Sequence, residues 1–292
     1  MISRTRALIV ACGAHVMHDG FTDLIYVMLP VWQREFGLTF VAVGLLRTLY
    51  TGAMATFQTP SSMLGERMGA RSMLALGTAF AATCYLVAGS GSTYAALALA
   101  LFAGGLGSSV QHPIASNMVA RAFEGARSRV ALGTYNFSGD IGKMALPALV
   151  AGLLFLLPWR RVLWIVGLIG LCVAVAIFFF APRVPPEAHN DRRDGSPSPD
   201  FGRTFTTGFS ILLAIGSIDS ATRMGFLTFL PFILTSKGAT VQSVGLALTI
   251  LFAGGAAGKF VCGFLGARIG VLATVCLTEG LTALGMVALL PL

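Results

Sequence analysis

His15, Asp19 and Asp23 stand four residues apart within an apolar stretch. In a helix, side chains at that spacing share one face. An imidazole beside a carboxylate can hold and release a proton, and a carboxylate kept from water does so nearer neutrality. Asp19 is the candidate proton carrier and His15 the residue that tunes it; a purely structural hydrogen-bonded pair is the alternative. Asp23 falls nearer the end of the stretch, as a residue of the mouth, and His18 points off the shared face. Asp140 and Lys143 are three apart, Asp219 and Arg223 four apart. Each pair can neutralise itself on its own helix, or release one partner to an anion or to Asp19. Arg47 and Arg223 are candidate anion contacts, and both can instead snorkel outward. Gln111, Asn136 and Tyr135 offer polar contacts. His112-Pro113 reads as a kinked packing element, Lys259 as a snorkelling residue near a helix end, and Glu279 as an acid with no visible partner.

The elements that must position these residues follow from composition. Of 292 residues, 55% are apolar and 11% charged, whereas a soluble domain carries about a quarter charged residues. Apolar runs long enough to cross a hydrocarbon core place nine spans near 6–31, 40–64, 72–90, 93–119, 130–157, 161–181, 205–234, 240–262 and 270–292. The expected fold is therefore an all-α integral membrane bundle. Ionisable groups inside such spans are costly and point to function. The net charge of +8 is spread between the runs, so no nucleic-acid partner is expected. Cys12, Cys84, Cys172, Cys262 and Cys276 lie within apolar segments and lack CxxC spacing, which supports neither a disulfide framework nor a zinc site. No metal and no cofactor are expected.

One long polar break, Pro182 to Arg203, is rich in Pro, Ser and charge. It reads as a solvated linker over 185–204, between a six-helix bundle at 1–184 and a three-helix partial bundle at 205–292. With the N-terminus in the cytoplasm, the inner loops receive most of the arginines and the outer loops only Arg34, Arg160, Arg161 and Lys237, the expected positive-inside bias. A shift of 201 positions lays Leu29-Pro30 on Leu230-Pro231, Gly37 on Gly238, Thr39 on Thr240 and Val43-Gly44-Leu45 on Val244-Gly245-Leu246. Leu64-Gly65 meets Leu265-Gly266, Arg67 meets Arg268 and Gly69 meets Gly270. Parallel repeats of this kind build transporters with a solute site between the halves. A complete second half would need roughly another 90 to 100 residues by repeat length.

The turn Gly65-Glu66-Arg67-Met68-Gly69-Ala70-Arg71 resembles the loop signature of the major facilitator superfamily, with charges able to bridge neighbouring helix ends and latch one conformation. Gly65, Glu66, Arg67, Gly69, Arg71 and Arg268 are thus the expected gating loop. His15-x-x-His18-Asp19, Leu29-Pro30, Gln33-x-Glu35-Phe36-Gly37-Leu38-Thr39-Phe40 and Gly105-Leu106-Gly107-Ser108-Ser109-Val110-Gln111-His112-Pro113 resemble the fosmidomycin resistance protein branch of that superfamily, over most of residues 10–150. The resemblance implies a proton-driven drug exporter of the inner membrane, the solute being drug-like or anionic; a monomer is expected. Gly133, Gly142 and Pro147 match part of the antiporter signature of the fifth span, with Leu146 where its third glycine belongs. The arginine that many proton-coupled exporters carry in the fourth span is absent, Leu101 standing there.

The expected activity is therefore alternating-access transport of a small solute, with Asp19, His15 and Asp140 coupling protons and Arg47, Gln111, Asn136, Lys143 and Arg223 contacting the solute. Uptake of an organic anion with protons or sodium is the first rival, and a non-transporting fragment the second. No HExxH, GxSxG, P-loop or strand-following GxGxxG is present, so no enzyme is expected.

Overall fold

The computed structural model describes residues 4–183 and 207–289. Among these the chain forms ten helical segments and no strand: α1 (Arg4–Phe36), α2 (Phe40–Met68), α3 (Ala70–Ser90), α4 (Tyr94–Ser108), α5 (Gln111–Ala122), α6 (Ala126–Leu156), α7 (Trp159–Phe180), α8 (Thr207–Ser236), α9 (Val241–Ile269) and α10 (Val271–Ala288). The linker expected over 185–204 lies outside the described residues.

Segments α4 and α5 together make the fourth span, which breaks at Ser109 and Val110 instead of running unbroken over 93–119. Pro113 is the cause. It has no N–H for the carbonyl four residues back, and its ring crowds that carbonyl. The Ser109 N–H still closes the last turn of α4, on the carbonyls of Gly105 and Leu106 at 3.0 and 3.2 Å.

Seven spans are long and apolar enough to cross a bilayer by length and composition. α1 and α8 are not among them: α1 carries the buried His15, His18, Asp19 and Asp23, and α8 carries Asp219 and Arg223. The polarity of α1 is compatible with lipid only where neighbouring helices cover it. α1 is buried along nearly its whole length, against α6, α5 and α7. The outer helices show the opposite pattern: Val41 is 83% exposed, Leu272 78% and Phe155 75%, exposure that suits acyl chains and not water.

Small residues set the α1–α6 approach. A Cβ on Gly142 would strike the Val16 backbone, and one on Gly139 would strike the side chains of His15 and Asp19. The two backbones therefore lie close enough for Lys143, beside Gly142, to reach Asp19. α9 packs on α6 to join the later helices to the earlier ones. Phe40 adds edge contacts with Phe229 and Phe232 of α8, at centroid distances of 6.0 and 5.4 Å.

The repeated stretches share backbone detail. α2 and α9 each hold 29 residues. Thr39 caps the first by accepting from Ala42 N–H, and Thr240 caps the second by accepting from Ser243 N–H. Gly37 and Gly238, then Gly69 and Gly270, adopt positive φ at the preceding and following turns, a conformation that costs other residues a Cβ clash.

Candidate functional site

A cavity of about 550 Å³ opens between α1, α2, α5 and α6 on one side and α8, α9 and α10 on the other. Its polar wall is built on α1. Asp19 Oδ2 lies 3.3 Å from His15 Nε2 and 3.4 Å from Lys143 Nζ. Asp19 Oδ1 faces His18 Nε2 at 3.9 Å and His112 Nε2 at 4.0 Å. Lys143 Nζ also reaches Asp140 Oδ1 at 3.7 Å, and Lys259 Nζ donates to both Asp140 oxygens at 2.7 and 2.6 Å. The outcome is a row of alternating charge, Asp19–Lys143–Asp140–Lys259, that begins on α1 and ends on α9.

A second group lies one helical turn further along. Arg47 Nη2 sits 3.6 Å from Asp23 and donates to Tyr26 Oη at 2.8 Å, while Nη1 donates to the Thr22 carbonyl at 2.5 Å. Its guanidinium also stacks over the Tyr26 ring, 4.2 Å from the centroid. Tyr26 Oη in turn contacts Met224 of α8 at 3.3 Å.

Spacing along the chain anticipated some of these placements and not others. His15 and Asp19 do pair, and Asp140, Lys143, Arg47 and Arg223 line or adjoin the cavity. His18 departs from expectation: it does not point away, because the α5 break turns His112 towards it, and their Nε2 atoms lie 3.2 Å apart. His112 accordingly faces the cavity as well as packing. Lys259 does not snorkel, since Asp140 of α6 holds it. Asp23 is 6% exposed and paired with Arg47, not a residue of the mouth. Asp219 and Arg223 form no ion pair: both are exposed, and Arg223 lines the cavity with no acid within ion-pair distance among the described residues. Gln111 and Asn136 lie off the cavity wall. Gln111 is buried, accepting from Tyr135 Oη at 3.2 Å, and Asn136 is exposed on the outer face of α6.

At the expected gating loop, Gly65 packs on Ile114, and Gly69 turns the chain. Arg71 stacks over Phe178 at 4.7 Å and Arg268 over Phe264 at 4.6 Å. Among the described residues no acid lies within ion-pair distance of Arg67, Arg71 or Arg268, so in this conformation rings and not carboxylates receive the loop's arginines. Sequence spacing missed the His18–His112 and Lys259–Asp140 pairs because each joins helices distant in the chain. Lys259 carried one signal, a cation inside an apolar run with no acid on its own helix.

A family model described as the Major Facilitator Superfamily matches residues 11–292. The chain belongs to this superfamily. Its fold agrees: a solved bacterial homologue of the human lysosomal transporter Spinster, in an inward-facing and occupied conformation, superposes with a TM-score of 0.76 at 20% identity, over 91% of this chain and 62% of that one. Among curated superfamily relatives, a probable L-galactonate transporter of Escherichia coli (strain K12) is 24% identical over 249 residues, 80% of this chain and 55% of the relative. The fosmidomycin resistance protein of the same strain is 25% identical over 263 residues, 88% of this chain and 64% of the relative. The chain thus spans between half and two thirds of these superfamily members' lengths. As a superfamily member with seven helices long and apolar enough to cross a bilayer, it is a multi-pass membrane protein.

Proposed function

We propose that this protein carries a small organic anion across the cytoplasmic membrane by alternating access, as proton-driven efflux, with its N-terminus in the cytoplasm and one chain as the working unit. The observation that supports the anion is Arg223, a cation on the cavity wall with no carboxylate of its own. Four cations, Arg47, Lys143, Arg223 and Lys259, face three carboxylates, Asp19, Asp23 and Asp140, around one space. A surplus of positive charge around a concave space attracts an anion. The relatives' names agree in part, since galactonate is a carboxylate.

The row Asp19–Lys143–Asp140–Lys259 supports proton coupling. A proton on either carboxylate frees a lysine, and a freed lysine can hold the anion or release α9 from α6. Gly142 and Pro147, on the α6 surfaces that face α1 and α9, support the antiporter reading by keeping both interfaces shallow. The six-span unit before the linker and the three helices after it would then rock against each other across the cavity.

Everted membrane vesicles holding the intact gene product test this. Imposing an inside-acid gradient should drive anionic solute into the vesicles. Emptying of the vesicles under the same gradient would establish proton-coupled uptake in place of efflux. Arg223→Gln should weaken transport of an anion by about tenfold, one charge-assisted contact, and spare a neutral analogue. Equal losses for both would refute charge recognition.

A further inference from the structure

The side chains around Asp19 carry a second chemistry that transport of an anion does not require. His18 Nε2, His112 Nε2 and Asp19 Oδ1 form a triangle with sides of 3.2, 3.9 and 4.0 Å. Its centre lies about 2.2 Å from each atom, within reach of the ~2.0–2.2 Å at which zinc takes imidazole nitrogen and carboxylate oxygen. His15 Nε2 stands beside the same carboxylate, and its ligand atom lies within 4.8 Å of those of Asp19 and His112.

The tautomer of the neutral His15 ring is set by a neighbour. Its Nδ1 lies 2.8 Å from the backbone carbonyl of Tyr135, which can only accept, so a hydrogen sits on Nδ1. In its neutral form His15 therefore leaves the Nε2 lone pair free for a metal ion. A ring N–H given to a backbone carbonyl is the outer-shell bond that orients metal-binding histidines. Electron-rich atoms of His18, His112 and Asp19 thus surround one point, with His15 beside the same carboxylate, and a metal cation can join them. Lys143 reaches only the far oxygen, Oδ2. It can shift its weight to Asp140, 3.7 Å away.

We infer that His15, His18, Asp19 and His112 form a binding site for a divalent transition ion of borderline softness, such as Zn²⁺ or Co²⁺. Three imidazoles with one carboxylate and no thiolate select such an ion over Mg²⁺, which demands oxygen. His112 is 41% exposed on the cavity side, which provides the path for the ion. A cavity-facing coordination position would remain for water or for an oxyanion. No metal-binding motif connects these positions along the chain: three come from α1 and one from the helix after the Pro113 break, so only their folding together makes the site.

The test is direct binding to the intact protein, purified in detergent without a polyhistidine tag. Calorimetry and elemental analysis should find one Zn²⁺ per chain, and Co²⁺ should give visible d–d absorption without thiolate charge transfer. Mg²⁺ should not compete. His112→Ala and His18→Ala should each weaken Zn²⁺ binding by about tenfold or more, with helicity and elution volume unchanged; His112→Gln replaces the first if it misfolds. His189→Ala, at the remaining histidine of the chain, should leave binding unchanged. Absence of stoichiometric Zn²⁺, a thiolate band with Co²⁺, equal binding of Mg²⁺, or full affinity in the His18 and His112 variants would each overturn the site.

Discussion

Asp19 is where the proposed mechanism concentrates, since it faces three histidines and a lysine at once. Asp19→Asn keeps the shape and removes the charge. It should abolish transport driven by a pH gradient while normal amounts of protein remain in the membrane, and full activity in a vesicle assay would refute the proton role. Lys259→Met and Asp140→Asn should each lower the unfolding midpoint in detergent, because either leaves the other group under-compensated. The double variant should lose less than the two losses combined, as expected for residues in contact; strict additivity would show that the pair contributes nothing. At this scale spacing within a helix was readable and spacing between helices was not. His15 with Asp19 follows from a four-residue period. His18 with His112 and Lys259 with Asp140 do not, because 94 and 119 residues separate them and no local rule reaches that far.

Among the elements, α6 is the most demanding, with α1 on one side and α9 on another. Gly142 tolerates no side chain because the Val16 backbone fills the space, whereas Gly133 has nothing within 4 Å of a would-be Cβ. Gly142→Leu should therefore force the helices apart and destabilise the protein by about 1–3 kcal/mol. Gly133→Ala should leave the melting temperature unchanged or slightly raised, since alanine is the better helix former. Thermal unfolding in one detergent compares them, and equal effects would mean that the close approach is not formed. The sequence made the existence and order of these helices plain, because runs of about 20 apolar residues have few other uses. It also held the Pro113 signal for the α4–α5 break. Which face of each helix met which neighbour was not readable: nearly every side of a membrane helix is apolar, so periodicity loses its contrast.

In the molecule as a whole, the repeat is kept at the turns and abandoned at the chemistry. Gly69 and Gly270 turn alike, yet the 201-residue shift puts Ser220 opposite Asp19, Leu248 opposite Arg47 and Gln58 opposite Lys259. Two similar frames thus surround a cavity whose charges belong mostly to one of them. The symmetry has a testable corollary. In a cysteine-free background, Met68→Cys and Ile269→Cys should react with a membrane-impermeant maleimide from the same side of the membrane. Labelling from opposite sides would dismantle the parallel arrangement.

The polarity of α1 also constrains how the protein is made. α1 leaves the ribosome before α5, α6 and α7, which shield it, and its four imidazole and carboxylate groups between His15 and Asp23 make it a poor solitary resident of lipid. The α6 groove that receives it and the α7 carbonyls of Phe179 and Phe180 that Arg6 grips are translated more than a hundred residues later. The nascent N-terminal segment must therefore wait, in the protein-conducting channel or beside an insertase, until α6 emerges. A chain stopped ahead of Ala126 would present quality-control proteases with an orphaned helix.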